Sequence, residues 1–393
     1  MKNKKIIPLT PHTGGVLDPN QVIGREKVIE KYWKILQRQG LVLYAERRFG
    51  KSAVLTKMNT ENREGFLTIY EGVEGATDAN EFVVKLFNSA LKAKLIKESK
   101  LKEIENTFHA ITSNVSKVGT VEFRAKDKKW GKQLNYFLTL LVEQHEEKYI
   151  VIMLDEFTIM LNKMEESEAT NILGYLRDLV QIDFAERLRF VYCGSIGIDL
   201  VLDKLKKSGH NIGDPINHIS KQRLLPFGDE EAMFFCECLN EGCKLKLPEE
   251  IMEYICTLSD KIPYFIDAIF DKIRYKTNID ESAIDTALND ILNDPGDMNN
   301  LKHFYDRIDN FYPNNILTNH ILNYLSKKDK YISEDDIAEQ INKIKATDRI
   351  LLNDEVDRLW RDGYLKRETI AGKRHFKFNY SIIKKWWAIN KAY

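Results

Sequence analysis

Apolar runs of strand length alternate with helical patterns along the first 227 residues. Residues 41–44, 66–70, 149–154 and 188–193 are almost purely apolar, and residues 223–225 form a weaker fifth run. The segments between these runs repeat apolar residues at helical spacing, beginning at 25–39. Strands that are buried on both faces and separated by helices are typical of an α/β domain with a parallel sheet. We therefore predict such a domain, ending near Phe227.

The pattern changes twice after this domain. Helical periodicity without strand signals continues to about residue 292, where Asn-Asp-Pro-Gly-Asp interrupts it. Three short helical segments (316–325, 334–341 and 348–361) then precede two β-like segments (364–369 and 374–379). Three helices followed by a hairpin is the order of a winged helix. The predicted domains are a sheet core (1–227), a helical domain (228–312) and a winged helix (313–393).

Charge and cysteine content narrow the class of protein. The chain has 393 residues, with 59 Lys and Arg against 59 Asp and Glu, so it lacks the basic surplus of a protein that coats nucleic acid or anionic lipid. No apolar run approaches the roughly 18 residues of a membrane span, and no apolar segment of a secretory signal follows the basic start. The five cysteines lack the spacing of a zinc site, so we interpret them as free thiols and expect a cytoplasmic protein.

The segment Ala-Glu-Arg-Arg-Phe-Gly-Lys-Ser at 45–52 carries the main chemical signal. It matches the phosphate-binding pattern GxxxxGK[ST] except that Ala45 replaces the first Gly. Gly50 would let the backbone pass close to a phosphate, and the helix that starts here would offer its N–H groups to the anion. Lys51 would place its charge on the β- and γ-phosphates, while Ser52 would bind Mg²⁺. A chance Gly-Lys-Ser is the alternative, but the preceding strand and following helix favour a phosphate loop.

Two carboxylates, Asp155 and Glu156, follow the most apolar of the predicted strands. Ligands bind at the carboxyl ends of strands in open parallel sheets. Asp155 is therefore the candidate ligand for Mg²⁺, and Glu156 is the candidate base that orients the attacking water. Taken alone, the pair is also explained as a helix N-cap followed by a solvated acid. Ser195 ends the next strand and is a candidate contact for the γ-phosphate or the water, although a Gly-Ser turn explains it as well.

Taken in order, these motifs resemble the archaeal-type ATPases, a group of STAND/AAA-like P-loop NTPases. The resemblance covers nearly the whole chain and rests on residues 22–26, 47–52, 153–156, 194–195, 225–232, 263–264 and 386–387. It implies an α/β P-loop NTPase core with a helical lid and a C-terminal winged helix. It also implies ATP and Mg²⁺ as cofactors and ATP hydrolysis as the activity.

The resemblance assigns further nucleotide contacts by position. It implies that ATP binds between the core and the lid, with Gly24 and Arg25 near the adenine and Pro263 closing over the base or ribose. Arg48, Phe49 and Ala53 would join Gly50, Lys51 and Ser52 around the phosphates. Two departures stand out: Ala45 replaces a Gly, and Asp-Lys-Ile at 260–262 replaces a double Gly. Arg47 and Arg48 could neutralise phosphate or contact a neighbouring subunit. Gln222 and Arg223 are further candidates for contact with a neighbour, so an oligomer is possible, but none of these residues is assigned as an arginine finger.

The charges of the winged helix leave its partner open. The presumed recognition helix, 348–362, carries three arginines against five carboxylates, which does not suit a phosphate-lined groove. The hairpin carries five basic residues against Glu368, so it could touch a DNA backbone without reading sequence. The alternative is a structural or protein-docking winged helix with a solvated basic hairpin.

Two functions of different class follow. In the first, the protein is an ATPase whose turnover resets a conformational switch and relays the nucleotide state to a protein or DNA partner. In the second, it binds nucleotide, barely hydrolyses it and acts as a DNA- or protein-binding scaffold. Glu156 discriminates between them, because only turnover needs it.

Overall fold

The computed structural model describes residues 5–15, 17–97, 100, 129–195, 197–210, 213–344 and 346–392. The chain divides into two compact units. The sheet unit contains Arg25–Ala45 and Lys51–Leu224. The C-terminal unit contains Met1–Gly24, Glu46–Gly50 and Leu225–Tyr393. The three-domain division remains a prediction.

The sheet unit is built on five parallel strands in the order β2-β3-β4-β1-β5. They are β1 (Gly40–Tyr44), β2 (Phe66–Gly72), β3 (Tyr149–Asp155), β4 (Leu188–Gly194) and β5 (Ile219–Arg223). The four apolar runs are confirmed as strands, and β3 and β4 are buried along almost their whole length. A parallel sheet covered on both faces needs such continuous apolar strands.

The predicted position of the last strand is wrong. We placed it at 223–225, whereas β5 ends at Arg223. This strand forms the edge of the sheet and only Ile219 is buried in it. Because an edge strand faces solvent, its sequence is Ile-Ser-Lys-Gln-Arg and lacks the apolar run on which the prediction relied.

Helices connect the strands of the sheet unit. They are α1 (Glu26–Leu36), α2 (Lys51–Thr60), α3 (Ala79–Lys92), α4 (Trp130–Gln144), α5 (Phe157–Lys163), α6 (Glu166–Asp178) and α7 (Ile198–Lys207), with a π-helical turn at Leu179–Asp183. The rings of Phe87 in α3 and Phe137 in α4 contact each other edge-on in the core. The segment between β2 and β3, where the spacing of apolar residues predicts helices, lies partly outside the described residues, at 98–99 and 101–128.

The C-terminal unit is mainly helical. Its helices are α8 (Asp229–Cys243), α9 (Glu249–Leu258), α10 (Pro263–Ile273), α11 (Glu281–Leu292), α12 (His303–Phe311), α13 (Asn315–Ser326), α14 (Glu334–Ile344), α15 (Arg349–Arg361) and α16 (Ser381–Asn390). The short strand β6 (Ile332–Ser333) joins the antiparallel hairpin β7 (Leu365–Ile370) and β8 (Lys373–Phe378). The three helices α13 to α15 and the hairpin confirm the element order of a winged helix.

The N-terminal segment packs on the helices of this unit. Leu9 N donates to Cys238 O at 2.9 Å, and His12 N donates to Asp267 Oδ2 at 3.1 Å. The cysteines at 236 and 238 lie on α8 and are buried, which agrees with a role in packing. None of the helices in the described part of the chain combines the length and hydrophobicity that a bilayer span requires.

Candidate functional site

The loop between β1 and α2 has the backbone of a tight turn. Gly50 has φ +87°, a left-handed value at which a Cβ would be strained. Arg48 has φ +74° and accepts that strain without being glycine. Ala45 lies outside the left-handed region, so the Ala that replaces the first Gly of the motif fits the backbone without strain.

Lys51 occupies an electrostatically costly position that an anion would relieve. It is the first residue of α2 and is 5 % exposed, and its Nζ donates to Ala45 O at 2.8 Å. The first turn of α2 contains no acid, although the N-terminus of a helix favours negative charge and disfavours a cation. A buried ammonium at the start of a helix favours the binding of an anion such as phosphate. Ser52, in the same turn, is exposed, and Ala53 is half-buried.

Asp155 ends β3 with its carboxylate buried and held. Its Oδ2 accepts a hydrogen bond from Tyr70 OH at 2.9 Å, and its Oδ1 accepts one from Glu156 N at 3.0 Å. Burial, followed by the charge of Asp155, raises the pKa of Tyr70, so the phenol stays protonated and continues to donate. Burial and Asp155 likewise raise the pKa of Cys193.

The side chain of Glu156 is held by Ser195, the residue that follows the neighbouring strand β4. The backbone of Glu156 is left-handed, with φ +54°, at the residue before α5. Its Oε2 accepts hydrogen bonds from Ser195 N at 3.1 Å and from Ser195 Oγ at 3.0 Å. The structure therefore brings together the two residues that the sequence proposed as catalytic.

The register of the sheet explains this proximity. β1 pairs with β4 at Tyr44 and Gly194, and β3 pairs with β4 at Leu154 and Tyr192, so the carboxyl ends of three strands lie side by side. The charges of Lys51 and Asp155 both act on Cys193 near this edge. Tyr70 and Cys193 are the two residues that the sequence analysis missed. An apolar strand that ends in Tyr or Cys gives no signal that its side chain faces an acid.

Two loop residues, Arg48 and Phe49, contact aromatic residues of the C-terminal unit to which they belong, and the charge of a third, Glu46, acts on the same unit. The guanidinium of Arg48 lies over the ring of Tyr264, with Cζ 4.1 Å from the ring centroid. The ring of Phe49 packs edge-on against Tyr380 at 5.2 Å and is fully buried. The charge of buried Glu46 raises the pKa of Arg307, after the larger effects of burial, which lowers it, and of Asp362.

The remaining predicted nucleotide contacts have clear local roles. Gly24 has φ +74°, and a Cβ there would lie 2.9 Å from the ring of Phe227. Arg25 is buried at the N-terminus of α1, and its charge lowers the pKa of Tyr32 against the larger effect of burial. Pro263 is the first residue of α10, where a proline fits a helix.

The residues that replace the double Gly keep a glycine-like backbone. Asp260 has φ +51° and Lys261 has φ +57°. Asp260 Oδ2 accepts a hydrogen bond from Ile382 N at 2.8 Å, at the start of α16, and Lys261 forms an ion pair with Asp229. The side chains thus gain contacts that glycine lacks, while the backbone bears the strain.

The basic residues of the hairpin are largely engaged inside the winged helix. Arg374 binds both Glu334 and Asp357, and Lys373 binds Asp335 at 2.9 Å. Arg367 lies 3.7 Å above the ring of Trp360 and 3.9 Å from Asp357. The five-to-one charge excess counted along the hairpin sequence is therefore offset by acids on α14 and α15, which sequence counting within the hairpin left out.

Comparisons with known proteins bear on the fold. No family model matches the sequence, and no curated protein matches it either. Among solved structures, the chain is similar to a Walker-type ATPase of Pyrococcus abyssi, with 14% identity over 97% of this chain and 98% of that chain and a TM-score of 0.66. It is also similar to the ORC2 protein of Aeropyrum pernix, solved with ADPNP and ADP, with 12% identity over 98% and 97% of the two chains and a TM-score of 0.55. At these identities the matches show the fold: the chain has the fold of a P-loop NTPase, with a parallel sheet core, a helical lid and a C-terminal winged helix.

Proposed function

We propose that the protein binds ATP at the β1–α2 loop and hydrolyses it, with Glu156 as the base. The main support is the position of Lys51: a buried ammonium at the N-terminus of α2, near the strand end that carries Asp155. Such a position destabilises the unliganded protein and favours a bound phosphate chain. Glu156 and Ser195 would then lie where an attacking water must be oriented.

The donor atoms fit Mg²⁺ as the accompanying ion. Ser52 offers a hydroxyl and Asp155 a carboxylate, and Mg²⁺ in nucleotide sites usually takes one or two such oxygens together with phosphates and waters. The described residues contain no cluster of three His, Cys, Asp or Glu side chains that would hold a metal alone. The ion would therefore arrive with the nucleotide, bound through its phosphate oxygens.

We further propose that nucleotide state is passed to the C-terminal unit through the loop. Arg48 and Phe49 contact residues of this unit, and Gly50, Lys51 and Ser52 of the proposed phosphate site follow directly in the chain. A phosphate chain bound at this loop would act on the packing of Phe49 against Tyr380. The protein would thus be a switch that an unidentified partner reads.

The surface of the winged helix favours a protein partner over DNA. Ile350 is 72% exposed and Leu351 is 38% exposed at the start of α15, where a DNA-reading helix would present polar side chains. The paired state of Arg374 and Lys373 leaves little free positive charge on the hairpin. DNA contact remains the second candidate, together with the scaffold function in which ATP is bound but not hydrolysed.

The test measures ATP binding and Mg²⁺-dependent phosphate release in the wild type and in three variants. Lys51→Ala should abolish ATP binding, whereas Lys57→Ala, a change of the same charge later in α2, should retain it. Glu156→Gln should bind ATP but release phosphate at least a hundredfold more slowly. Normal turnover in Glu156→Gln would remove Glu156 from its role. Binding without turnover in the wild type, with or without double-stranded DNA, would favour the scaffold.

A further inference from the structure

A small cavity lies at the end of the parallel sheet where the strands begin. It has a volume of about 120 Å³, and the first residues of three strands, Gly40, Leu188 and Ile219, line it. Because the strands are parallel, this end of the sheet is opposite the carboxyl-terminal end, which carries Lys51 and Asp155. At about 30 Å³ for each water molecule, the cavity holds roughly four waters or one small ion.

The polar lining of the cavity is cationic. Arg38 and Arg189 contribute two positive charges, Gln39 and Gln181 add two amides, and none of the described lining residues is an acid. Arg189 is only 7% exposed, and no carboxylate of the described chain forms an ion pair with it. A buried cation without a counter-charge is unfavourable, so the cavity is electrostatically incomplete.

Buried hydrogen-bonding atoms beside the cavity also lack partners. Arg189 donates from Nη1 to Ala185 O and Leu188 O and from Nη2 to Glu186 O, but its buried Nε has no partner in the described structure. Neither ring nitrogen of His218 has a partner there. Burial and the charge of Arg177 lower the pKa of His218, whereas Asp214 raises it, so burial favours a neutral ring with one N–H to donate.

The backbone beside the cavity is unusual as well. Gln181 lies in the π-helical turn Leu179–Asp183, which directly continues α6. Turns of this kind are rare and frequently occur at functional sites, because they displace a side chain from the position that a regular helix would give it. The turn thus contributes Gln181 to the same lining as the two arginines and the imidazole.

We propose that this cavity is a second anion site, which binds a small oxyanion of the phosphate or carboxylate class. Arg189 supplies the buried charge, His218 supplies an N–H donor from the wall, and Arg38 closes the site from the exposed rim. An oxyanion would complete the hydrogen bonding of Arg189 and neutralise its charge. The site does not depend on the proposed ATPase activity, because it shares no residue with the β1–α2 loop.

The test titrates inorganic phosphate, and separately acetate, into the full chain by calorimetry. All proteins carry Lys51→Ala, which removes phosphate binding at the β1–α2 loop. Arg38→Gln should weaken the affinity about tenfold, because one charged hydrogen bond is lost at an exposed residue whose removal does not threaten the fold. Lys34→Ala removes the same charge about one helical turn earlier and should change the affinity less than twofold. Arg189→Met should abolish binding, with circular dichroism as the check on folding.

The outcomes separate the sources of the ligand. Saturation by phosphate alone assigns a tetrahedral oxyanion, and saturation by acetate alone assigns a carboxylate. Absence of saturable binding of either probe would mean a cavity filled only by water and would overturn the proposal. An equal effect of Arg38→Gln and Lys34→Ala would also overturn it, because it would reveal general screening rather than a site. If Arg189→Met does not fold, His218→Phe replaces it and should weaken binding.

Discussion

Ser195 donates two hydrogen bonds to one oxygen of Glu156, from its backbone N at 3.1 Å and from its Oγ at 3.0 Å. The serine ends β4 and the glutamate follows β3, so adjacent strands fix the pair. A carboxylate held at one oxygen keeps its other oxygen oriented, which is what a base that positions water requires. We therefore predict that Ser195 positions the side chain of Glu156, the proposed base.

Ser195→Ala should lower kcat for ATP about tenfold and leave KM within about twofold, because a hydrogen bond to a charged group is lost and the loop that binds phosphate is unchanged. Ser195→Thr keeps the hydroxyl and should recover most of the rate. Steady-state phosphate release measures both constants. A rise in KM with unchanged kcat would mean that Ser195 contacts the nucleotide instead.

The contact between Phe49 and Tyr380 allows a direct test of the proposed switch. In the wild type, a non-hydrolysable ATP analogue should change hydrogen exchange in 381–390, because the loop and α16 share this packing. Tyr380→Ala should abolish the change and leave nucleotide affinity within about threefold. Hydrogen exchange followed by mass spectrometry measures it.

Tyr331→Ala is the matched control for this experiment. It removes an aromatic ring of the same unit that lies under Lys377. The nucleotide-induced change should persist in this variant. A change that also persists in Tyr380→Ala would show that the loop does not communicate through this ring pair.

The polar residues at the carboxyl ends of the strands could be predicted from the sequence, because buried parallel strands are continuous apolar runs that are easy to recognise. An apolar strand followed by two acids placed Asp155 and Glu156, and the next strand placed Ser195. The side chains that each of these residues contacts were harder to predict. Neither Tyr70 against Asp155 nor Phe49 against Tyr380 follows from spacing, because sequence-distant side chains meet only after folding.

Charge counting failed for the same reason. The hairpin of the winged helix is basic in sequence, but Arg374 bonds to Glu334, 40 residues away in the chain. Helix α15, the presumed recognition helix, contributes Asp357, which accepts a hydrogen bond from the same guanidinium. The net charge of a segment describes its surface only when the acids that pair with its basic residues lie in the same segment. The acids that pair with the hairpin lie on α14 and α15.

Lys261 offers a direct test of stored backbone strain. Its φ of +57° is one that glycine adopts freely, and its ion pair with exposed Asp229 contributes little. Lys261→Gly should therefore raise the free energy of unfolding by about 0.5–1 kcal/mol, after the greater entropy of glycine in the unfolded chain is subtracted. Urea unfolding followed by tryptophan fluorescence measures the change.

Two controls isolate the backbone effect. Lys261→Ala removes the ion pair but keeps the strain, so it should not stabilise the protein. Lys272→Gly, in the last turn of α10, should lower the free energy of unfolding by up to about 1 kcal/mol, because glycine is unfavourable in a helix. Stabilisation by Lys261→Ala as large as that by Lys261→Gly would show that the side chain, and not the backbone, bears the cost.

Asp267 should make the stability of the C-terminal unit depend on pH. Burial raises the pKa of its carboxyl to about 7, although His12 N donates to Oδ2 and opposes the shift. The folded pKa lies above the unfolded value of about 3.9, so the folded state binds more protons between these limits and loses stability as pH rises through 7. The expected loss between pH 5 and pH 8 is on the order of 2 kcal/mol. Asp260, whose pKa burial raises to about 6, adds a loss in the same direction.

Asp267→Asn isolates this contribution, because the amide stays neutral and can still accept from His12 N. Urea unfolding at pH 5 and pH 8 should show a fall in the wild type that exceeds the fall in the variant by on the order of 2 kcal/mol. Asp290→Asn, at an exposed acid on α11, is the control and should retain the wild-type dependence. Equal falls in the wild type and Asp267→Asn would mean that Asp267 is ionised in the folded protein at pH 5, and its burial would then need a counter-charge.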